Sequence, residues 1–272
     1  MNKNKRYFAA IGDVHGQMNK MVSLLQGRES SKNIKLDFVL QVGDFEPHRD
    51  ENDLNTMAAP AKYRKLGDFH NYYQNILKFP WPVYFIAGNH EPYGFLDQYP
   101  EGAEICSNCH YIGRANSFSI NDIQVSGLSG IYKEDAFIKK RPDISEIEHI
   151  SNKHYIYFTD NEVDKLIDFG KTDILLLHDW PAGIIDLADA KQFEAQRRSI
   201  RYDTVGNEYS KIVMELTDPQ IVLCGHMHKK YRNKISLKNG KTIQVICMAS
   251  VPQGWDSIAF FTINENRKIE LL

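Results

Sequence analysis

Five short segments of this chain carry residue types that bind metal and handle phosphate. They are Gly12-Asp13-Val14-His15-Gly16, Gly43-Asp44, Gly88-Asn89-His90-Glu91, His178 in Leu177-His178-Asp179-Trp180-Pro181, and Gly225-His226-Met227-His228. Two divalent ions about 3.5–4 Å apart need several oxygen and imidazole ligands, and open positions for water and substrate. A carboxylate between them offsets their repulsion. Asp13 and His15 are two residues apart, so in an extended segment both side chains reach one ion. His226 and His228 repeat that spacing. Asp44, an isolated carboxylate after an apolar run, is the natural bridge, while Asn89 offers an amide oxygen and His178 an imidazole. Mixed N and O donors suit Mn, Fe, Zn or Ni better than Ca or Mg alone. Asp-x-His or His-x-His alone is a weak signal, and a lone histidine is usually a satisfied core residue. Here the segments occur together, each after an apolar run.

Those runs are the elements that must position the ligands. Short apolar stretches at Tyr7–Ile11, Asp37–Val42, Pro82–Ala87, Ile123–Leu128, Ile174–His178 and Ile221–Cys224 predict strands, several ending in Gly, Asp, Asn or His. Met18–Gln26 and Tyr63–Leu77 have helical spacing, and Thr242–Ser250 with Ile258–Ile263 reads as a closing hairpin. Ligand sites in α/β sheets gather beyond the carboxyl ends of strands. Because candidate ligands run from residue 13 to residue 228, one site draws on most of the 272-residue chain, which argues for a single domain over 1–272. The stretch Tyr132–Asn161 is charged and aperiodic, and reads as a substrate-recognition loop.

In this order, the five segments resemble the calcineurin-like metallophosphoesterase superfamily. The resemblance implies a four-layer αββα sandwich of two mixed sheets. It implies one ion held by Asp13, His15, Asp44 and His228, and a second by Asp44, Asn89, His178 and His226. His90 would sit beside the leaving group, so His90, Asp44 and Asn89 are the candidate catalytic residues. A narrower likeness is to the lariat RNA debranching enzymes, which cleave 2′,5′-phosphodiesters. It is carried by Gly43-Asp44-Phe45 followed by Arg49, Asp53-Leu54, Met57-Ala58, Pro60 and Lys62-Tyr63-Arg64, by Phe69 with Tyr72-Tyr73, by Ser129-Gly130-Ile131-Tyr132-Lys133, and by His178-Asp179-Trp180-Pro181. Many debranching enzymes carry Cys where this chain has Asp13, so the full two-metal ligand set is expected here. Eukaryotic members also have a long C-terminal extension; this chain ends at Leu272 and reads as a compact relative.

Composition narrows the partners. With 33 Lys plus Arg against 35 Asp plus Glu, no global charge draws the chain to nucleic acid or an anionic membrane. A phosphodiester substrate, RNA or a nucleotide, must then be held by local groups. Arg49, Lys139, Lys140 and Arg141 are the candidate substrate contacts. Arg197-Arg198 and Lys229-Lys230 read as surface charges, and Trp180-Pro181 as the turn that aims His178. No apolar stretch approaches the ~20 residues of a membrane span, and cytoplasmic location is expected. Cys106-Ser107-Asn108-Cys109-His110 matches a short haem-attachment pattern but reads as two ordinary thiols.

The expected chemistry is metal-assisted hydrolysis of a phosphodiester by direct water attack, with His90 steadying or protonating the leaving oxygen. The rivals are a phosphomonoesterase acting on phosphoprotein or dinucleoside polyphosphate, and a non-catalytic metal scaffold. Against the first, Gly43-Asp44 lacks the Asp-Arg-Gly ending typical of that branch. Metal-dependent turnover would eliminate the second.

Overall fold

The computed structural model describes residues 5–196, 200–237 and 240–272, so Arg197 and Arg198 lie outside the described residues. Strands are β1 (Arg6–Ile11), β2 (Phe38–Val42), β3 (Val83–Ile86), β4 (Ala103–Cys106), β5 (Cys109–Tyr111), β6 (Ala115–Ile120), β7 (Ile123–Leu128), β8 (Ile174–Leu177), β9 (Ile221–Cys224), β10 (Tyr231–Ser236), β11 (Thr242–Cys247), β12 (Ile258–Ile263) and β13 (Ile269–Leu271). Helices are α1 (Met18–Lys32), α2 (Phe69–Tyr73), α3 (Tyr93–Leu96), α4 (Glu134–Phe137), α5 (Asp160–Asp168), α6 (Leu187–Gln196) and α7 (Glu208–Thr217).

The central strands are apolar at consecutive positions because both their faces are covered. In β1, Phe8 and Ala10 join one core while Ala9 and Ile11 join another. In β8, Ile174 and Leu176 point into the same core as Phe8, and Leu175 and Leu177 point the opposite way. That shared core lies between two sheets, a 7-stranded one of order β13-β12-β1-β2-β3-β5-β4 and a 6-stranded one of order β10-β11-β9-β8-β7-β6. Helix α1 covers the first sheet through Met18, Met21 and Leu25. Helices α5 and α7 cover the second through Val163, Leu166, Val213 and Met214. The result is the expected αββα sandwich. In the first sheet β1, β2, β3 and β5 run parallel, as do β7, β8, β9 and β11 in the second. The carboxyl ends of β1, β2, β3, β8 and β9 deliver the ligand segments to one edge of the sandwich.

Several expectations need correction. Thr242–Ser250 and Ile258–Ile263 do not form a hairpin: β11 pairs with β10 and β9, and β12 with β1 and β13. The connection Val251–Ser257 crosses between the sheets, fastened over the end of β1 by Val251 N–H to Asp13 O (2.8 Å) and Gly12 N–H to Ser257 O (2.8 Å). Tyr63–Leu77 is not one helix. Gly67, in the left-handed region at φ 67°, packs against Gly16, and Asp68 N–H bonds Gly16 O, leaving only α2 helical. Helix α1 runs past Gln26 to Lys32, where Asn33 in the left-handed region ends it. Its last turn is polar and gave no periodic signal. Asn161 already belongs to α5, whose start is fixed by a Thr159–Glu162 capping box. The preceding loop is pinned at its base, where Ile131 bridges Tyr157.

Candidate metal centre

Each ligand follows a strand whose last residues are buried, and the backbone then turns abruptly. His15, Asp44, Glu46, His226 and His228 all have positive φ, between 50° and 66°. Non-glycine residues adopt this region at a cost of about 1–3 kcal/mol each, and such strain clusters at functional sites. The Asp13–His15 segment is therefore a tight turn rather than extended. The amides of Val14 and His15 both donate to Asp44 O, at 2.9 Å. The same holds at His226 and His228, which diverge: the His226 ring faces His178 (centroids 5.0 Å apart) and the His228 ring faces His15 (4.9 Å).

Two donor groups result, sharing Asp44. Asp13, His15, Asp44 and His228 offer ligand atoms all within 4.8 Å of one another. His15 Nε2 lies 2.9 Å from His228 Nε2, which lies 2.9 Å from Asp13 Oδ2. That Asp13 oxygen is buried and accepts no hydrogen bond in satisfactory geometry. In the second group, His178 Nε2 is 3.2 Å from Asn89 Oδ1 and 3.4 Å from Asp44 Oδ1. A buried carboxylate and several imidazole nitrogens converging on one point are what a cation satisfies, so the residues fit a metal centre.

Ring orientation is set from behind. His15 Nδ1 donates to Glu46 Oε1 at 2.7 Å, and His178 Nδ1 donates to Val42 O at 2.8 Å, so each Nε2 faces the site. Burial works against charging both rings. For His15 the Glu46 bond and the charges of Asp44 and Asp13 win, raising its pKa to about 9. Asp44 above all raises His178 to about 10. The same negative field attracts a divalent ion.

Two acidic residues without a role in the sequence reading prove central. Glu46, buried, backs His15 and lies 3.7 Å from His90 Nδ1. Its only sequence signal was an acid two residues past Asp44. Glu91, fully buried, accepts the amides of Phe45, Glu46 and Gly88 at 2.8–3.0 Å and so ties the second and third ligand segments together. Burial pushes its pKa up to about 8 despite those bonds. Close approach also needs glycine at two positions. A Cβ on Gly88 would lie 2.2 Å from Asp44 Oδ1, and one on Gly225 would lie 2.4 Å from Asp13 Oδ1. Trp180 does fix the turn after His178: it is buried and its Nε1–H donates to Gly225 O at 2.7 Å.

His90 keeps its ring at the rim, a quarter exposed, while its amide donates to Asp44 Oδ1 at 2.8 Å. The four expected substrate contacts do not gather here. Arg49 is committed to Asp53 through Nε (3.0 Å) and Nη2 (2.8 Å) and lies 3.9 Å over the Phe95 ring. Arg141 holds Glu162 and Tyr157 O, bracing the base of the loop. Lys139 and Lys140 are exposed, and Lys140 lines a groove with Asp97 and Pro100 that contains no metal ligand. Lys229 caps Gln196 over the Phe193 ring. All four cysteines are free thiols.

A family model described as calcineurin-like phosphoesterase matches residues 7–230. The chain belongs to this family. Calcineurin-like phosphoesterases use divalent metals, in keeping with the donor groups around Asp44. The chain is 32% identical to the lariat debranching enzyme of Entamoeba histolytica, over 83% of this chain and 65% of that one. To that of Arabidopsis thaliana it is 31% identical, over 86% and 57%. To that of Saccharomyces cerevisiae it is 32% identical, over 87% and 60%. The chain thus spans 57–65% of the length of these curated relatives. A solved structure aligns over 98% of both chains at TM-score 0.54 and 13% identity, a likeness of fold alone. No described helix is long and apolar enough to cross a membrane.

Proposed function

We propose that this calcineurin-like phosphoesterase hydrolyses a phosphodiester of RNA or a nucleotide, with 2′,5′-linked diesters preferred. The observation that carries the reading is the pair of donor groups sharing Asp44, with the His90 ring at their rim. The 2′,5′ preference is supported by the named activity of the debranching relatives.

Asp13, His15, Asp44 and His228 would hold one divalent ion; Asp44, Asn89, His178 and His226 would hold another. Bound there, the ions supply positive charge for the phosphate oxygens and lower the pKa of an attacking water. The chain's own residues do the rest. Glu46 and Val42 O fix the tautomers of His15 and His178. The His90 amide orients Asp44, and its ring donates a proton to the departing ribose oxygen. Glu46 Oε1 lies close enough to His90 Nδ1 to turn the ring's other nitrogen toward that oxygen. Substrate beyond the scissile phosphate is assigned to the recognition loop. Its Ser151–Lys153 stretch faces Asn55–Arg64 across a groove of about 800 Å³, where Arg64 and Lys153 are the cations.

Protein reconstituted with Mn should be offered 2′,5′- and 3′,5′-linked dinucleotides, a branched RNA and p-nitrophenyl phosphate. The 2′,5′ and branched substrates should be cleaved fastest. Faster turnover of the monoester, or equal cleavage of both dinucleotides, would overturn the assignment.

A further inference from the structure

Trp255 stands apart from the other two tryptophans. Trp81 and Trp180 are buried, whereas Trp255 is 54% exposed. A single exposed aromatic ordinarily needs no explanation. This one sits among cations, on the turn whose first residue, Val251, bonds Asp13 O. Its ring edge abuts α1 at Gly27, and the Arg28 guanidinium carbon lies 5.9 Å from its ring centroid. Together with Arg28, Lys230, Arg232 and the apolar floor of Ile258 and Phe260, it lines a cleft of about 150 Å³. Asp256 pairs with Lys230 at 2.7 Å and offsets one of the three cations, leaving Arg28 and Arg232 to give the cleft its positive charge. The backbone is shaped to present the ring. Gly254 has φ 70° and ψ −127°, a region open to glycine almost alone, and the chain emerges from it at Trp255.

The cleft is physically continuous with the ligand segments. Lys230 follows His228 by two residues, and the turn carrying Trp255 begins at Val251, whose amide bonds Asp13 O. Arg232, four residues beyond His228 on an extended chain, stands at most about 13 Å from it. A polynucleotide with its scissile phosphate at the metal centre can therefore lay its next nucleotides along Lys230 and Arg232.

We propose that Trp255, Arg28, Lys230 and Arg232 form a single-strand binding subsite that stacks one nucleobase and holds the flanking phosphates of an RNA arm leaving the metal centre on the His228 side. The subsite rests on the diester reading for its role in turnover, but not for its ability to bind. A flat aromatic accepts any base, and the cations follow the backbone, so the site is expected to be indifferent to sequence and sensitive to salt. Its lining shares no residue with the recognition-loop groove, which is formed by residues 55–64 and 147–153. Two strands of one branched substrate could thus be held at once.

The test separates binding from chemistry. A single-stranded oligoribonucleotide should quench the fluorescence of Trp255, the exposed one of 3 tryptophans, and high salt should abolish the quenching. Trp255→Ala should lose the quenching, and Trp255→Phe should retain binding measured by anisotropy of a labelled oligonucleotide. In turnover, Trp255→Ala should raise KM for a branched RNA with a multi-nucleotide arm by about tenfold. It should leave a 2′,5′-dinucleotide and bis-p-nitrophenyl phosphate unchanged. Equal effects on all three substrates, no effect on any, or quenching by polyglutamate instead of RNA would overturn the subsite. Quenching by RNA without any diester turnover would uphold the subsite and overturn the function proposed above.

Discussion

The two halves of the proposed metal centre are built on different principles. In the half made by Asp13, His15 and His228, the imidazoles are partly exposed and His15 is held from behind by a carboxylate, Glu46. In the half made by Asn89, His178 and His226, His178 is fully buried and held by a main-chain carbonyl, Val42 O. A carboxylate adds charge and can be altered by a side-chain change; a strand carbonyl adds only direction and is fixed by the sheet. The first half is therefore the tunable one and the second the rigid one.

Asp44 belongs to both halves, and its loss should collapse the distinction. Asp44→Asn removes the charge that offsets two cations. Its kcat should fall further than the about 10²–10⁴-fold typical of a lost general acid. Two retained metals with near-normal kcat, by elemental analysis and steady-state kinetics, would break the bridge assignment. His90 is assigned to neither half as a metal ligand. His90→Ala should lower kcat by about 10²–10⁴-fold with metal content intact, and hurt substrates with poor leaving groups most. A p-nitrophenolate diester that suffers as much as a dinucleotide would remove His90 from proton transfer.

Glu46→Gln sharpens the comparison directly. Losing the carboxylate behind a metal-binding histidine typically weakens metal affinity by about 10–100-fold. The weakening should be confined to the first half, seen as one weakened and one unchanged step in a Mn titration. Equal weakening of both steps would erase the asymmetry. The remaining prediction concerns protons. In metal-free protein His15 titrates near about 9 and His178 near about 10, so both are protonated at pH 7. Metal binding must displace those protons. Affinity should fall about tenfold per pH unit for each displaced proton as pH drops from 8 to 6. Calorimetric Mn titrations in buffers of different ionisation heat should report proton release at pH 7; none would show that the imidazoles are neutral there.

The candidate ligand set was legible because each of its residues follows an apolar run, where strand period and glycine punctuation are least ambiguous. Its geometry was not. The spacing of Asp13 and His15 suggested an extended segment, whereas the turn is held by Asp44 O from 30 residues away, which no local pattern reveals. Glu46 and Glu91 were invisible for the same reason, since their partners belong to other strands. Arg49 and Arg141 looked like phosphate contacts because a guanidinium in a charged loop gives no hint of its carboxylate; each had one, in Asp53 and Glu162. Sheet membership of β11 and β12 likewise depended on a crossing that sequence proximity disguised as a hairpin.

One contact seen at the site has a mechanical meaning. His15 and His228 meet across 213 residues of chain, one at the end of β1 and the other just past β9, in opposite sheets. An ion held by both would act as a rivet between the two layers, closing a loop that spans most of the molecule. Parting the sheets would require giving up that ion, so its binding would oppose opening of the sandwich. Cross-linking so long a loop also removes conformational freedom from the unfolded chain, which in the loop-closure picture is worth several kcal/mol, on the order of that from a long-range disulfide. For this protein, loading with metal and becoming durable would be the same event.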